Sequence, residues 1–251
     1  VPSAYQISGH IGKGEFAVSA GRGNGYDFNL SYSVTRNISV LAAIGRNNRY
    51  ERRSTLWDDY GIKNNNNSYS ARIGYTGKVS SSKILLLTYD AYLGISKTSV
   101  KNYWSFDETR NFTPLNAQFT DAKYNSFFIG GDVVFKIKPA ELAITTRLSH
   151  FTFQQFEFHE TGTNTAYIFS FVKNMKGANA EVILSAGVKY KNLKVFVQGG
   201  FSINTNGTNG QQTDEHRLNI GTTIVEHQEV FDTFSFISRI GLQYNFRILK
   251  N

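Results

Sequence analysis

The chain has 251 residues with 22 Gly, 3 Pro, no Cys and 1 Met; 14% of residues are aromatic, 18% are charged, and the formal net charge is +8. This composition excludes collagen and disorder, and the absence of cysteine excludes disulfide staples, thiolate-held zinc, iron–sulfur clusters and a thiol nucleophile. The Lys and Arg residues are scattered rather than gathered into a stripe, which argues against a nucleic-acid partner.

Fourteen Tyr and 20 Phe against 1 Met and 2 Trp favour sheet over helix. In chain order, the first alternating segment has Phe16, Val18 and Ala20 facing away from Glu15, Ala17 and Ser19. From Asp27 to Val34 the odd positions are polar and the even ones are Phe28, Leu30, Tyr32 and Val34, the period-2 signature of a strand with one wet and one greasy face. The same rhythm recurs at 38–45, 69–76, 85–96, 127–136, 141–148, 182–190, 194–203 and 234–247. These ten segments predict an all-β protein.

The connections predict which kind. Thr35 to Asn37, Val79 to Ser82, Lys138 to Pro139 and Lys191 to Asn192 are short. Between them lie long polar stretches, Asn48 to Ser68, Lys101 to Asp121, Glu157 to Asn179 and Asn204 to Thr233, with Gly21 to Gly25 as one short member of that set. Strict alternation of short and long is the rule for outer-membrane barrels, whose periplasmic turns are tight and whose outer loops are long. No apolar run nears the roughly 20 residues of a spanning helix, but a barrel strand needs only about 9 to 11 residues and hides its apolar half behind a polar one. The reading is a ten-stranded antiparallel transmembrane β-barrel over residues 15–251, preceded by a periplasmic lead segment at 1–14, with both termini periplasmic. The chain starts without Met or a signal peptide and reads as a processed product.

Both signs of charge fall on the polar face: Glu15, Asp27, Asp90, Asp132 and Glu141 with Arg72, Arg147, Lys189 and Arg239, joined by Lys136 and Lys194. Basic groups at the lipid midplane cost roughly 2 to 4 kcal/mol, so these residues are expected inside, paired across a narrow lumen. A selective pore is the alternative. Tyr26, Tyr50, Tyr69, Tyr124, Tyr190, Phe234 and Phe246 lie near strand ends and suit interfacial girdles.

The opening Val1-Pro2, then Gly14-Glu15-Phe16, then Tyr32-Ser33-Val34-Thr35-Arg36-Asn37-Ile38-Ser39-Val40 resembles the small outer-membrane β-barrel proteins, often predicted lipoproteins, of Bacteroidota. The resemblance covers strands one to three closely and the rest by rhythm. It implies residence in the outer membrane of a Gram-negative bacterium, contact with its lipid, and an acyl anchor on a Cys upstream of Val1.

For chemistry, an omptin-like rim hydrolase is one reading. Asp214-Glu215-His216 has an Asp-x-His spacing and Asp58-Asp59 is a second acidic pair, and a histidine oriented by a carboxylate can act as general base toward water. Omptins separate their acidic pair by one residue and carry the Asp and His one outer loop earlier, so the match departs in both respects. Ser149 and His150, neighbours on one strand, point to opposite faces and form no acyl-transfer set. His10, His159 and His227 have no ligand spacing, so neither metal nor cofactor is expected. The remaining class is a non-enzymatic scaffold. Trp57, Tyr60, Tyr103, Trp104, Phe106 and Phe158 fall in the long outer stretches, where aromatic anchors serve docking to other outer-membrane or surface proteins.

Overall fold

In the computed structural model the backbone is described for residues 12–23, 25–54, 59–82, 85–105, 117–161, 167–205, 208–218, 221–231 and 234–247. Side chains are described for the same residues except 49–62, 103–119, 158–175 and 206–234. Twelve strands run in the order β1 (Glu15–Gly23), β2 (Tyr26–Ser33), β3 (Ile38–Ser54), β4 (Asp59–Ser81), β5 (Leu85–Ser105), β6 (Ala117–Ile137), β7 (Ala140–Thr161), β8 (Tyr167–Tyr190), β9 (Leu193–Asn204), β10 (Thr208–Leu218), β11 (Gly221–Phe231) and β12 (Phe234–Arg247).

Ten of them close a barrel. Neighbours from β1 to β9 pair antiparallel, β9 pairs β12, and β12 pairs β1, with Phe16 opposite Phe246 and their rings stacked at 5.4 Å. The remaining two, β10 and β11, form a hairpin inside the 204–234 connection. This hairpin continues the sheet where β9 stops: β8 pairs β9 along Asn179–Tyr190 and β10 along its earlier half, from Tyr167 to Lys176.

Burial is inverted relative to a protein folded in water. Leu93, Ile129 and Leu148 are about half exposed, at 50%, 49% and 56%, whereas Asp90 and Asp132 are 3% and 2% exposed. Only hydrocarbon outside and a polar lumen inside make this favourable, because buried apolar area stabilises by roughly 25 cal/mol per Å² while an unpaired charge facing lipid is costly. Every described residue of the ten alternating segments keeps the face its parity predicts. The small and polar residues Ala17, Ser19, Asn29, Ser31 and Ser33 point in, and Phe28, Leu30, Val40 and Ile44 point out.

Two expectations are corrected. The long polar stretches are largely strand: the β3–β4 ladder runs unbroken from Ile38 opposite Tyr75 to Ser54 opposite Asp59, and β4 has 23 residues. At about 3.4 Å per residue and a tilt near 40°, β4 rises roughly 60 Å, more than twice an apolar belt of about 25 Å. The outer half of the wall is therefore a polar extension of the sheet. Its pairing persists because each added residue gains a ladder hydrogen bond whatever its side chain, and polar side chains join in, as where Asn66 Oδ1 accepts the Lys101 N–H at 3.1 Å. Second, Tyr124 does not belong to a girdle. It points inward and packs on Phe153 at 5.0 Å and Phe151 at 6.1 Å, because its parity matches that of buried Phe128. Tyr26, Tyr69 and Tyr190 are exposed at the belt edges and Phe246 is half-buried; the side chains of Tyr50 and Phe234 lie outside the described residues.

Candidate functional site

The lumen is the best-defined chemical environment in the molecule, and three clusters fill it, the first and third sharing the Phe196 ring. In the first, Arg239 on β12 donates from Nε to Asp27 Oδ2 on β2 at 2.7 Å, from Nη2 to Asp27 Oδ1, and from Nη1 to Gln198 Oε1 on β9 at 2.9 Å. The arginine reaches Asp27 across Gly21 on β1, where any Cβ would overlap the guanidinium. Asn29 donates to Asp27 Oδ1 and Ser19 Oγ, and Gln198 donates to Ser185 Oγ at 2.9 Å. One hydrogen-bonded chain thus crosses β2, β1, β12, β9 and β8.

In the second cluster, Arg147 on β7 pairs with Glu181 on β8 and lies over the Phe128 ring at 5.1 Å. Phe128 meets Tyr92 edge-on at 6.3 Å, and Arg72 on β4 stacks over Tyr92 at 4.3 Å. In the third, Lys194 on β9 pairs with Glu141 on β7 and shares the Phe196 ring with Arg239, at 5.9 and 4.6 Å. Paired charges and cation–π contacts satisfy groups that would be expensive alone in a dry interior. Elsewhere on the inner face, Glu15 accepts from Asn245 Nδ2 at 3.0 Å. Asp90 faces Asp132 across β5 and β6, and half-buried Lys189 stands opposite Lys194.

Sequence reasoning placed the charges on the correct face but missed the rings between them. Each ring of these clusters lies opposite an inward glycine: Phe128 faces Gly94, Tyr92 faces Gly130, and Phe196 faces both Gly187 and Gly241. A Cβ on Gly94 would come within 2.5 Å of Phe128 Cζ, and one on Gly241 within 2.5 Å of Phe196 Cζ. Glycine at inward-parity positions was the available signal, since a ring laid along the wall needs a neighbour without a side chain. Glu181 and Gln198, partners of Arg147 and Arg239, were missed because the period-2 pattern gives the face and not the register.

Above the Arg147–Glu181 pair, Ser96, Thr98, Ser126, Ser149 and Asn179 surround a small chamber of about 70 Å³, capped by Tyr124 and Phe151. Its size suits a few waters. Beyond it Phe153 and Phe156 meet edge-to-face at 5.7 Å, and on the outer wall Lys101 pairs with Asp121 at 3.2 Å.

The proposed rim residues are placed by their strands. Asp214 and His216 are both on β10, opposite Ser170 and Ile168 of β8, and Asp59 opens β4 opposite Ser54. In sheet order β8, β7, β6 and β5 separate β10 from β4. Tyr60 (β4), Tyr103 and Trp104 (β5) and Phe158 (β7) are strand residues. Asp58, Trp57 and Phe106, and the side chains of Asp59, Tyr60, Tyr103, Trp104, Phe158, Asp214 and His216, lie outside the described residues. Among the described residues no three His, Cys, Asp or Glu side chains gather as metal ligands.

A closed ten-stranded antiparallel barrel with an apolar exterior and a lumen of paired charges defines an outer-membrane β-barrel. The fold is similar to that of the outer membrane protease OmpT from Escherichia coli, with a TM-score of 0.55 and 14% identity over 92% of this chain and 93% of that one. The translocator domain of the autotransporter NalP from Neisseria meningitidis also matches, with a TM-score of 0.40 and 12% identity over 95% of this chain and 90% of that one. No protein-family model matches the sequence, and no curated protein matches it.

Proposed function

We propose that this protein is a non-conducting, non-catalytic outer-membrane scaffold that offers its polar outer wall to other outer-membrane or surface proteins, as an accessory subunit of a larger assembly. The observation that carries this reading is the filled lumen. Arg72, Tyr92, Phe128, Arg147 and Glu181 form one stack across β4 to β8, while Arg239, Phe196 and Lys194 fill the side nearer β9 and β12. A permeation path would have to break these pairs, and breaking a buried ion pair costs on the order of 3 to 5 kcal/mol. The extended outer wall supports the docking role, since rigid sheet presents side chains with little ordering cost. In this reading residues 1–14 are a periplasmic lead segment, which the even number of barrel strands supports by returning both ends of the barrel to the tight-turn side.

Three measurements test it together. In planar bilayers the purified protein shows no steady conductance; a stable open channel overturns the non-conducting part. Crosslinking in native membranes followed by affinity purification recovers a stoichiometric partner, and recovery of the barrel alone overturns the accessory role. A hydrolytic reading stands on fold similarity to a protease and the Asp214, His216 spacing; it takes over if a basic peptide is cleaved and His216→Ala abolishes the cleavage.

A further inference from the structure

We propose that the outer wall is an incomplete sheet whose gap takes a β-hairpin of a partner protein, acidic on the strand that enters and basic on the strand that returns. The proposal rests on the scaffold reading and names where its partner docks. The gap follows from unequal strand lengths. The β1–β2 ladder ends at Arg22 opposite Tyr26, and the Gly23 N–H donates to the Gly25 carbonyl oxygen at 2.9 Å to close a short turn. On one side of this turn β3 pairs with β2 as far as Arg46 opposite Tyr26, then runs on along β4 to Ser54. On the other side β1 reaches only to Gly23 opposite Arg239 of β12. Nearer the outer rim Phe234–Ser238 are held by β9 alone, and β11 by β10 alone. Among the described residues nothing pairs with 47–54 on the β2 side of β3, or with β11 on the side away from β10. The order β3, β2, β1, β12 sets the two margins three strand spacings apart at the foot of the gap, about 14 Å, which is room for two strands.

Backbone chemistry defines what fills it. Alternate residues of an antiparallel strand turn their N–H and C=O groups toward the same side, so each margin offers a row of donors and acceptors suited to strand addition. Neither margin carries the devices that blunt an exposed edge: 47–54 and 221–231 contain no proline, and the ladders behind them run without a bulge. Direction follows from the topology. β3 leaves the tight turn at 34–37 and runs toward the outer rim, whereas β11 runs the same way as β8, toward the periplasm. A filler antiparallel to both descends beside β3 and climbs beside β11. A single strand would leave one margin open; a hairpin entering turn first satisfies both. Charge then fixes the order of its strands. Residues 47–54 include Arg49, Arg52 and Arg53 against Glu51, while 221–231 include Glu226 and Glu229 and neither Lys nor Arg. The descending strand is therefore acidic and the climbing strand basic, because the reverse order would set like charge beside each margin.

The test uses the full chain in neutral detergent and two disulfide-closed synthetic hairpins of identical composition, with strands as long as the β3 margin. One has its acidic strand first and the other its basic strand first, and thermophoresis measures binding. The acidic-first hairpin binds at least about tenfold more tightly than the basic-first one. Methylating its outward backbone nitrogens removes the ladder donors, keeps every charge and abolishes binding. Arg52→Glu with Arg53→Glu weakens the acidic-first hairpin about tenfold, while an unchanged heat-dependent gel shift shows that the barrel is intact. Equal binding of the two hairpins, undiminished binding after methylation, or no loss in the double variant overturns the proposal. So does a dimer, seen by light scattering, that the double variant dissociates, which would give the gap to a second copy. Crosslinking in native membranes judges the scaffold reading separately. A partner recovered there while neither hairpin binds removes this proposal and leaves that reading standing; recovery of the barrel alone while the acidic-first hairpin binds overturns the scaffold reading.

Discussion

Asp27 on β2 accepts two hydrogen bonds from the guanidinium of Arg239 on β12, a residue 212 positions later in the chain. The pair ties the second strand to the last across β1, at the seam where the barrel closes. Both side chains are nearly buried, at 11% and 5% exposed, so neither keeps water as a substitute partner. Arg239→Ala takes the guanidinium from Asp27, which keeps only the neutral Asn29 amide, and from Gln198 Oε1, and is expected to lower stability by about 3 to 5 kcal/mol. Urea unfolding in lipid vesicles, followed by tryptophan fluorescence, measures this; Asp27→Asn with Arg239→Met, which removes both charges, loses less.

The glycines opposite the lumen rings yield a contrast. In Gly94→Val the new Cβ meets the Phe128 ring and the Ala71 carbonyl oxygen, both at 2.5 Å, and the backbone oxygen cannot step aside. Overpacking of this kind costs about 1 to 3 kcal/mol. Gly199→Ala puts its methyl in open space, with no atom within 4 Å, and is expected to stay within about 0.5 kcal/mol of wild type. Thermal midpoints of the gel shift, compared side by side, separate the two.

Lipid-face substitutions respond to depth. Leu93→Arg places a cation at the middle of the exterior belt and is expected to cost about 2 to 4 kcal/mol, whereas a basic side chain added at the belt edge costs about 1 or less. Folding yield into vesicles at graded urea reports the difference. If Leu93→Arg folds as readily as wild type, this wall does not face hydrocarbon.

Removing the ring beneath two cations also has a defined outcome. Phe196 lies under Arg239 and beside Lys194, so Phe196→Ala loses ring packing and both cation–π contacts, about 3 kcal/mol together. The same variant opens the β9 side of the lumen, and planar-bilayer recordings are expected to show brief current events that wild type lacks. The Lys101–Asp121 pair is lopsided: Lys101 is 41% exposed and Asp121 only 11%, so Lys101→Ala leaves a nearly buried carboxylate without its cation and is expected to cost about 1 to 3 kcal/mol.

Alternation determined the strand faces and the inward position of Asp27, Arg147 and Arg239, because a period of two is a local property and lipid rewards it at every strand; the succession of short and long connections added the barrel class. It could not show that Asn64 to Asn67 belong to a strand, since a polar segment looks like a loop until its partner strand is paired beside it. Nor could it show the β10–β11 hairpin, which exists because β9 ends at Asn204 and leaves the early half of β8 without a neighbour on that side. Register was likewise out of reach. Only closure of the sheet decided that Arg239 meets Asp27 over Gly21 and that Phe128 lies against Gly94, because contacts between residues distant in the chain depend on how strands slide past one another, and sliding leaves no trace in either strand's own sequence.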